Sequence, residues 1–233
     1  MQTAYAKKSN VSLIRLLLIG GVVSTPLFYA IAIIQAFTRK GFDIRRHAIS
    51  TLTLGDLGWI QSANFIITGL LAVLASIGFR KLLRGGKGGT WGALLIGIYG
   101  IGMIVAGLFP PDPGLGFPTG APPNMPATMS GHAALHSMAF FIAFICLIVA
   151  TIIFSRRFAA QGERGLRTYC IATGIISPLL IILGIGINSW TGLIMGCAGI
   201  VAFGWVSVLA ARLLAYAPTH LLSEKDFTPS RRK

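Results

Sequence analysis

Two histidines, His132 and His136, stand four residues apart where a long apolar segment begins. On an α-helix this spacing places both imidazoles on one face, one turn apart. If His47 approached from an earlier segment, the three rings would form a zinc site that keeps an open position for water. The alternative is that the histidines are neutral and hydrogen-bonded inside the protein. The sequence therefore predicts zinc as a candidate cofactor, with these three residues as its ligands.

Two aspartates are candidates for the catalytic base of such a site. Asp56 or Asp112 would accept a proton from metal-bound water or orient a ligand imidazole. Each has a structural alternative. Asp56 shortly precedes an apolar segment, where an aspartate commonly caps the helix N-terminus. Asp112 lies between prolines in the segment 110–114, where aspartate is a common turn residue. Ser130 is in the same way a candidate N-cap for the helix that carries His132.

Polar residues near His47 indicate an anionic ligand and a pocket for it. Arg45 and Arg46 would pair with a phosphate or carboxylate headgroup. The alternative is that their long side chains extend to lipid headgroups without a specific ligand. A polar stripe at helical spacing follows in the next apolar segment: Gln61, Asn64 and Thr68. The stripe either lines a pocket floor, with Asn64 contacting the ligand, or ties helices together by hydrogen bonds.

The elements that must position these residues are membrane-spanning helices. Of the 233 residues, 54% are hydrophobic and 11% are charged, whereas soluble domains carry about 25% charged residues. The mean hydropathy is +0.76, and a spanning helix needs about 20 apolar residues. We therefore expect an all-α fold, a polytopic six-helix bundle in the membrane. The predicted spans are Leu16–Phe37, Trp59–Phe79, Trp91–Phe109, Ala133–Phe154, Tyr169–Ile187 and Thr191–Leu214.

The Lys and Arg residues predict how the bundle is oriented. They concentrate before the first span, in the second and fourth connections and in the C-terminal tail, whereas the third and fifth connections have none. By the positive-inside rule both termini are cytoplasmic, in a multi-pass protein of the cytoplasmic membrane. The predicted organisation is a cytoplasmic N-terminus (1–15), a six-span domain (16–214) and a basic cytoplasmic tail (215–233). The formal net charge of +14 is thus assigned to topology and lipid headgroups, and no nucleic-acid partner is expected.

This topology places the first and third connections on the same, outer face. The basic first connection lies there against the positive-inside rule, so its charge needs another role, such as anion binding. Spans two and four begin at the same face, and their helix N-termini also favour an anion. The candidate residues that this face brings together are Arg45, Arg46, His47, Ser50, Asp56, Asp112, His132 and His136.

Several motifs resemble a known membrane family. They are segment 45–52 (RRHAISTL), Asn64 in the second span, segment 107–113 (GLFPPDP) and a helix that opens with His136. Together with the six-span layout, they resemble the bacterial and archaeal family catalogued as domain of unknown function 998. The resemblance covers nearly the whole chain. It implies a polytopic membrane protein and supplies no activity.

A second likeness concerns the chemistry alone. Three His, an Asp and a Ser near one membrane face are similar to the inventory of the alkaline-ceramidase and adiponectin-receptor group of seven-span zinc hydrolases. The last histidine pair of that group is spaced as His132 and His136 are. This chain differs in its six predicted spans and in placing His47 before Ser50. The likeness implies Ser50 as a further catalytic candidate.

The sequence leaves three functions open. The first is a membrane-embedded, metal-assisted hydrolase or lipid-modifying enzyme, in which the histidines hold zinc and the arginines bind an anionic headgroup. The second is a non-catalytic protein or a permease that binds a lipid or small anion through the same basic cluster without a metal. The third is a structural subunit that packs against a partner through glycine-rich helix faces.

Overall fold

The computed structural model describes residues 2–84, 86 and 88–223, and the side-chain environments within residues 11–216 of that part. It consists of six long α-helices and a short 3-10 helix, Ile49–Thr53, in the first connection. No β-strand occurs among the described residues, so the predicted all-α class is confirmed. The helices are α1 (Gln2–Thr38), α2 (Gly58–Leu82), α3 (Trp91–Leu108), α4 (Gly131–Ala160), α5 (Arg164–Gly186) and α6 (Thr191–Ser223).

All six helices are long and apolar enough to cross a membrane. Without water in the hydrocarbon layer, backbone N–H and C=O groups must pair within the protein, and a helix pairs them within one segment. Each helix packs against its neighbours in sequence, and α1 packs against α6 to close the ring. The helices α1 and α6 continue beyond the predicted spans, since hydropathy marks only the part of a helix that lies in lipid.

Glycines allow some of the closest helix contacts. A Cβ atom on Gly69 would lie 2.5 Å from the carbonyl oxygen of Gly100, and one on Gly100 would lie 2.7 Å from that of Gly69. On α6, a Cβ on Gly199 would collide with the hydroxyl of Tyr29. The α2–α3 contact thus packs backbone against backbone, whereas Gly199 of α6 leaves room for the Tyr29 side chain of α1.

The first, third and fifth connections (residues 39–57, 109–130 and 187–190) meet at one end of the bundle, which we call the odd-loop end. The N–H of Gly192, at the start of α6, donates to the carbonyl of Arg45 at 2.8 Å. The rings of Phe42 and Phe117 meet edge to face at 5.3 Å. The first and third connections thus share one end, as predicted. The second and fourth connections (residues 83–90 and 161–163) belong to the opposite, even-loop end. The tail cations Lys225, Arg231, Arg232 and Lys233 lie outside the described residues.

The orientation of the bundle is testable with single cysteines. Thr119 and Gln161 are exposed at opposite ends. In a background lacking Cys146, Cys170 and Cys197, Thr119→Cys should react with a membrane-impermeant thiol reagent added to intact cells. Gln161→Cys should react only after lysis, because the positive-inside rule places the basic even-loop end in the cytoplasm. The reverse pattern, at equal expression, would contradict the predicted N-in/C-in topology.

Candidate functional site

His47 uses both ring nitrogens to hold the odd-loop end together. Its Nδ1 accepts a hydrogen bond from the N–H of Asp43 at 2.9 Å, so that nitrogen carries no proton. Its Nε2 therefore carries the proton and donates to the carbonyl of Leu115 at 3.1 Å. The ring is buried, with Phe42 and Phe117 both at 5.4 Å between ring centroids. This arrangement leaves no lone pair on His47 for a metal ion.

The contact with Leu115 explains an unusual backbone conformation in the third connection. Leu115 has φ 56°, in the left-handed region that is costly for a residue with a side chain. The glycines on either side, Gly114 and Gly116, allow the tight turn. The hydrogen bond from His47 helps to hold the Leu115 carbonyl in place. The link joins residues 68 positions apart in the chain.

His136 supplies a hydrogen-bond donor to carbonyls that α3 leaves without one. Its Nδ1 lies 3.1 Å from the oxygen of Ala106 and 2.9 Å from that of Phe109. The residues four positions later, Pro110 and Pro113, have no N–H to give to these carbonyls. Because both neighbours are acceptors, the Nδ1 of His136 must carry the proton. The Nε2 of this buried ring is then a hydrogen-bond acceptor, with no partner among the described residues.

His132 lies one turn before His136 but in a different environment. His136 is buried, whereas His132 is exposed and contacts the ring of Phe109 at 5.5 Å between centroids. Within the described residues, no three His, Cys, Asp or Glu side chains stand close enough to hold a metal ion together. The donor set therefore does not fit the three-histidine centre, and zinc stays a prediction without support from the geometry.

Asp112 and Ser130 form a capping network at the start of α4. The Oδ2 of Asp112 accepts a hydrogen bond from the N–H of Ser130 at 2.9 Å. The Ser130 hydroxyl oxygen in turn accepts from the N–H of Ala133 at 3.2 Å, so the predicted N-cap is confirmed. Hydrogen bonds from Ser130, first its side chain and then its backbone, lower the pKa of Asp112, with a smaller contribution from His132. Asp112 thus attaches the third connection to α4.

The predicted N-cap role of Asp56 is wrong. The N-cap residue of α2 is Leu57, and no side chain there makes a capping hydrogen bond. A turn starting at Gly55, which has φ 72°, instead directs the N–H of Gly58 to the carbonyl of Gly55 at 2.9 Å. The backbone thus provides the acceptor that the side chain was expected to provide. Asp56 itself is exposed at the odd-loop end.

Two of the four cations of the first connection, Arg39 and Arg45, bind partners within the protein. Asp43, which the sequence analysis did not single out, binds Arg45 through both carboxylate oxygens, at 3.1 and 3.0 Å. This pairing lowers the pKa of Asp43 and raises that of Arg45. Arg39 donates to the carbonyls of Leu52 and Leu54, at 3.2 and 2.6 Å. Arg46 remains exposed.

The polar stripe of α2 lies between helices rather than in an open pocket. Asn64 donates to the carbonyl of Phe28 at 2.9 Å and to the Oε1 of Gln61 at 3.2 Å. Gln35 of α1 also donates to that Oε1, at 2.8 Å. Gln35 has no clear signal in the sequence, because it lies in the largely apolar segment 26–37. Within Gln35 and the stripe, four buried side-chain atoms have no partner among the described residues: Gln35 Oε1, Gln61 Nε2, Asn64 Oδ1 and Thr68 Oγ1.

A partly open cavity of about 80 Å³ lies in the half of the bundle nearest the odd-loop end. Of the site residues predicted from the sequence, it is lined by His136 and Ser50 and by none of the others. Its walls are mainly apolar, and they include Phe28, Phe65 and Phe203. Such walls have no local sequence signal, because apolar residues occur along every span. The cavity is therefore a feature that the fold alone reveals.

The fold and the apolar surface define an integral membrane protein with six spanning helices. The family described as "Protein of unknown function (DUF998)" matches residues 22–212, and the chain belongs to this family. The resemblance found in the sequence motifs is thereby confirmed. No curated protein and no solved structure matches the chain.

The two buried histidines should show opposite tautomers. We expect a protonated Nε2 and a bare Nδ1 in His47, and a protonated Nδ1 and a bare Nε2 in His136, because of their backbone partners. Nitrogen NMR of ¹⁵N-histidine-labelled protein in bilayers distinguishes protonated from bare ring nitrogens. The variants His47→Gln and His136→Gln assign the signals. A protonated Nδ1 in His47 would contradict the assignment.

Acid should remove the contribution of Asp112 to stability. A carboxyl group whose pKa is lowered by folding stabilises the protein above its ordinary pKa, and this contribution is lost as pH falls through the lowered value. Asp112→Asn should therefore lower the unfolding temperature at neutral pH, and its difference from the native protein should vanish in strong acid. Asp56→Asn, at an exposed position, serves as the control. An equal effect of both substitutions would argue against the capping role.

Proposed function

We propose that the protein binds one end of a lipid or another apolar molecule in the cavity beside His136. The observation that carries this proposal is the fixed orientation of the His136 ring. Its Nδ1–H is held by the carbonyls of Ala106 and Phe109, and the same residue lines the cavity. The cavity thus combines apolar walls with one oriented polar contact, as small-molecule sites commonly do.

The size of the cavity limits what enters it. At about 80 Å³ it is smaller than the roughly 300–1,000 Å³ of sites that enclose drug-sized ligands. One end of a longer molecule fits, and the remainder extends through the open side. The aromatic walls are rigidly packed, since Phe28 meets Phe65 edge to face at 5.0 Å and Phe203 at 5.9 Å. A slim chain is therefore favoured over a bulky ring system.

The polar contact favours a ligand that donates a hydrogen bond. A neutral imidazole whose Nδ1 is protonated offers only the lone pair of Nε2. A hydroxyl group donates to that lone pair, whereas a carboxylate or phosphate has no proton to donate and repels it. Ser50 also lines the cavity, and the Tyr29 hydroxyl donates to the carbonyl of Gly196 at 3.0 Å. The ligand class is thus an apolar alcohol or a lipid with a hydroxyl near its inserted end.

The hydrogen-bond partners of the other predicted site residues favour ligand binding over metal-assisted hydrolysis. Both ring nitrogens of His47 form hydrogen bonds to backbone groups. Asp112 accepts a hydrogen bond from the N–H of Ser130, the N-cap residue of α4. Of the two arginines predicted to bind an anion, Arg45 already forms an ion pair with Asp43, which lowers its attraction for a second anion. In the part of the chain that the structure describes, no group of metal-ligating side chains adjoins the cavity.

Filling the cavity should abolish binding. A Cβ on Gly196 would find the Cδ1 of Ile49 at 3.7 Å as its neighbour, so a side chain there has room to enter the cavity. We expect Gly196→Leu to reduce labelling by a diazirine-bearing hexadecanol at least about tenfold, a loss of about 1.4 kcal/mol in binding. Gly204→Leu is the matched control on the same helix, because a Cβ there meets nothing within 4 Å.

The labelling is measured in nanodiscs by mapping adducts with mass spectrometry, and competitors define the chemistry. Unlabelled hexadecanol should compete, and hexadecane should compete poorly because it lacks the hydroxyl group. Equal labelling of Gly196→Leu and the native protein would refute the proposal. So would near-stoichiometric zinc in the native protein that is lost in the His132→Ala/His136→Ala variant, since that result would restore the metal-assisted hydrolase.

A further inference from the structure

A second cavity, of about 330 Å³, lies at the even-loop end, where α2, α4, α5 and α6 come together. It falls within the roughly 300–1,000 Å³ typical of ligand sites. Its wall combines apolar and polar residues. The apolar lining residues are Leu82, Leu83, Phe158, Leu166 and Leu213, and the polar ones are Arg157, Gln161, Glu163 and Tyr216. A ligand with both an apolar and a polar part matches such a wall.

Arg157 differs from its neighbour in where its side chain lies. Arg156 is exposed, whereas Arg157 is partly buried and lines the cavity. A cation that serves only as a topology signal is expected to extend to the headgroup region, as long basic side chains commonly do. Arg157 instead contributes a guanidinium group, which binds phosphate oxygens well, to a wall that also holds several leucines.

An adjoining cavity of about 320 Å³ continues the site around the start of α5. The two cavities share Glu163 and Leu166, and the second adds the cation Arg212. No side chain caps the N-terminus of α5, where the helix begins after Glu163. The partial positive charge of that helix end adds to the attraction for an anion.

The charged residues around the cavity determine which sign of ligand charge is favoured. Among the described residues of the even-loop end, Glu163 is the single acid. Against it stand the cations Arg80, Lys81, Arg84, Arg156, Arg157, Arg164, Arg167 and Arg212. Clusters of basic residues at the end of spanning helices attract anionic lipids. The excess positive charge therefore favours a ligand with net negative charge over a zwitterionic one.

We propose that this cavity is a specific site for one anionic phospholipid. The phosphate group binds Arg157, with Arg212 nearby in the adjoining cavity, and an acyl chain lies along the leucine-rich wall. The site is separate from the cavity beside His136 and shares no lining residue with it. Failure of either proposal therefore leaves the other standing.

The test compares two neighbouring arginines that carry the same charge. Purified, delipidated protein is titrated with phosphatidylglycerol, and bound lipid is counted by native mass spectrometry. Arg157→Gln should weaken binding about tenfold or more, since it removes a charge-assisted contact inside the cavity. Arg156→Gln should change it less than about threefold, because it removes only a surface charge. Equal losses in both variants would show diffuse attraction and overturn the proposal.

A second variant keeps the test decisive if Arg157→Gln does not fold. Gln161→Trp adds bulk to the cavity wall and leaves every charge in place. It should also weaken phosphatidylglycerol binding, whereas unaltered binding would overturn the proposal. Phosphatidylcholine and glycerol 3-phosphate identify the source of the phosphate. Binding of phosphatidylcholine as tight as that of phosphatidylglycerol, or full competition by glycerol 3-phosphate, would contradict an anionic phospholipid site.

Discussion

The structure depends on the requirement that buried backbone carbonyls find a donor inside the protein, because lipid offers none. The segment after α3 violates this requirement locally, since Pro110 and Pro113 have no N–H for the carbonyls of Ala106 and Phe109. His136 meets the need from the next helix. One side chain thereby attaches α4 to the end of α3 and fixes its own tautomer. The tautomer of this cavity-lining residue is thus a consequence of a structural hydrogen bond.

The odd-loop end is organised by the same kind of contact. His47 connects the first and third connections through two backbone groups, and Asp43 pairs with the neighbouring Arg45. Arg39 adds contacts to two carbonyls and lies over the ring of Phe117, 5.4 Å from its centroid. Polar residues that the sequence predicts as a binding site thus mainly hold the loops in place. Ser50 of the same connection forms part of the cavity wall.

The two cavities divide the bundle into chemically different ends. The cavity beside His136 is small and mainly apolar, with Tyr29, Ser50 and His136 as its polar lining residues, whereas the even-loop cavity is larger and lies in a strongly basic region. Lipids carry both kinds of group, an apolar chain and a charged head. Together, the two proposals describe a protein that binds one lipid near each end of the bundle. Neither requires the helices to move, because both cavities exist in the static bundle.

The sequence by itself determined the number and type of the helices, the end at which the odd connections meet, and the cap at Ser130. These features follow from hydropathy and from short-range patterns, which are local properties of the chain. Only the tertiary structure decided which groups His47 and His136 contact. It likewise determined that Arg45 pairs with Asp43 and that Gln35 joins the buried polar stripe. It also decided that Gly55 and Gly58, not Asp56, would shape the start of α2. The physical reason is that the partners of both histidines are backbone groups, which every residue carries. No pattern of side chains therefore reveals which carbonyl will lie beside an imidazole until the helices are packed.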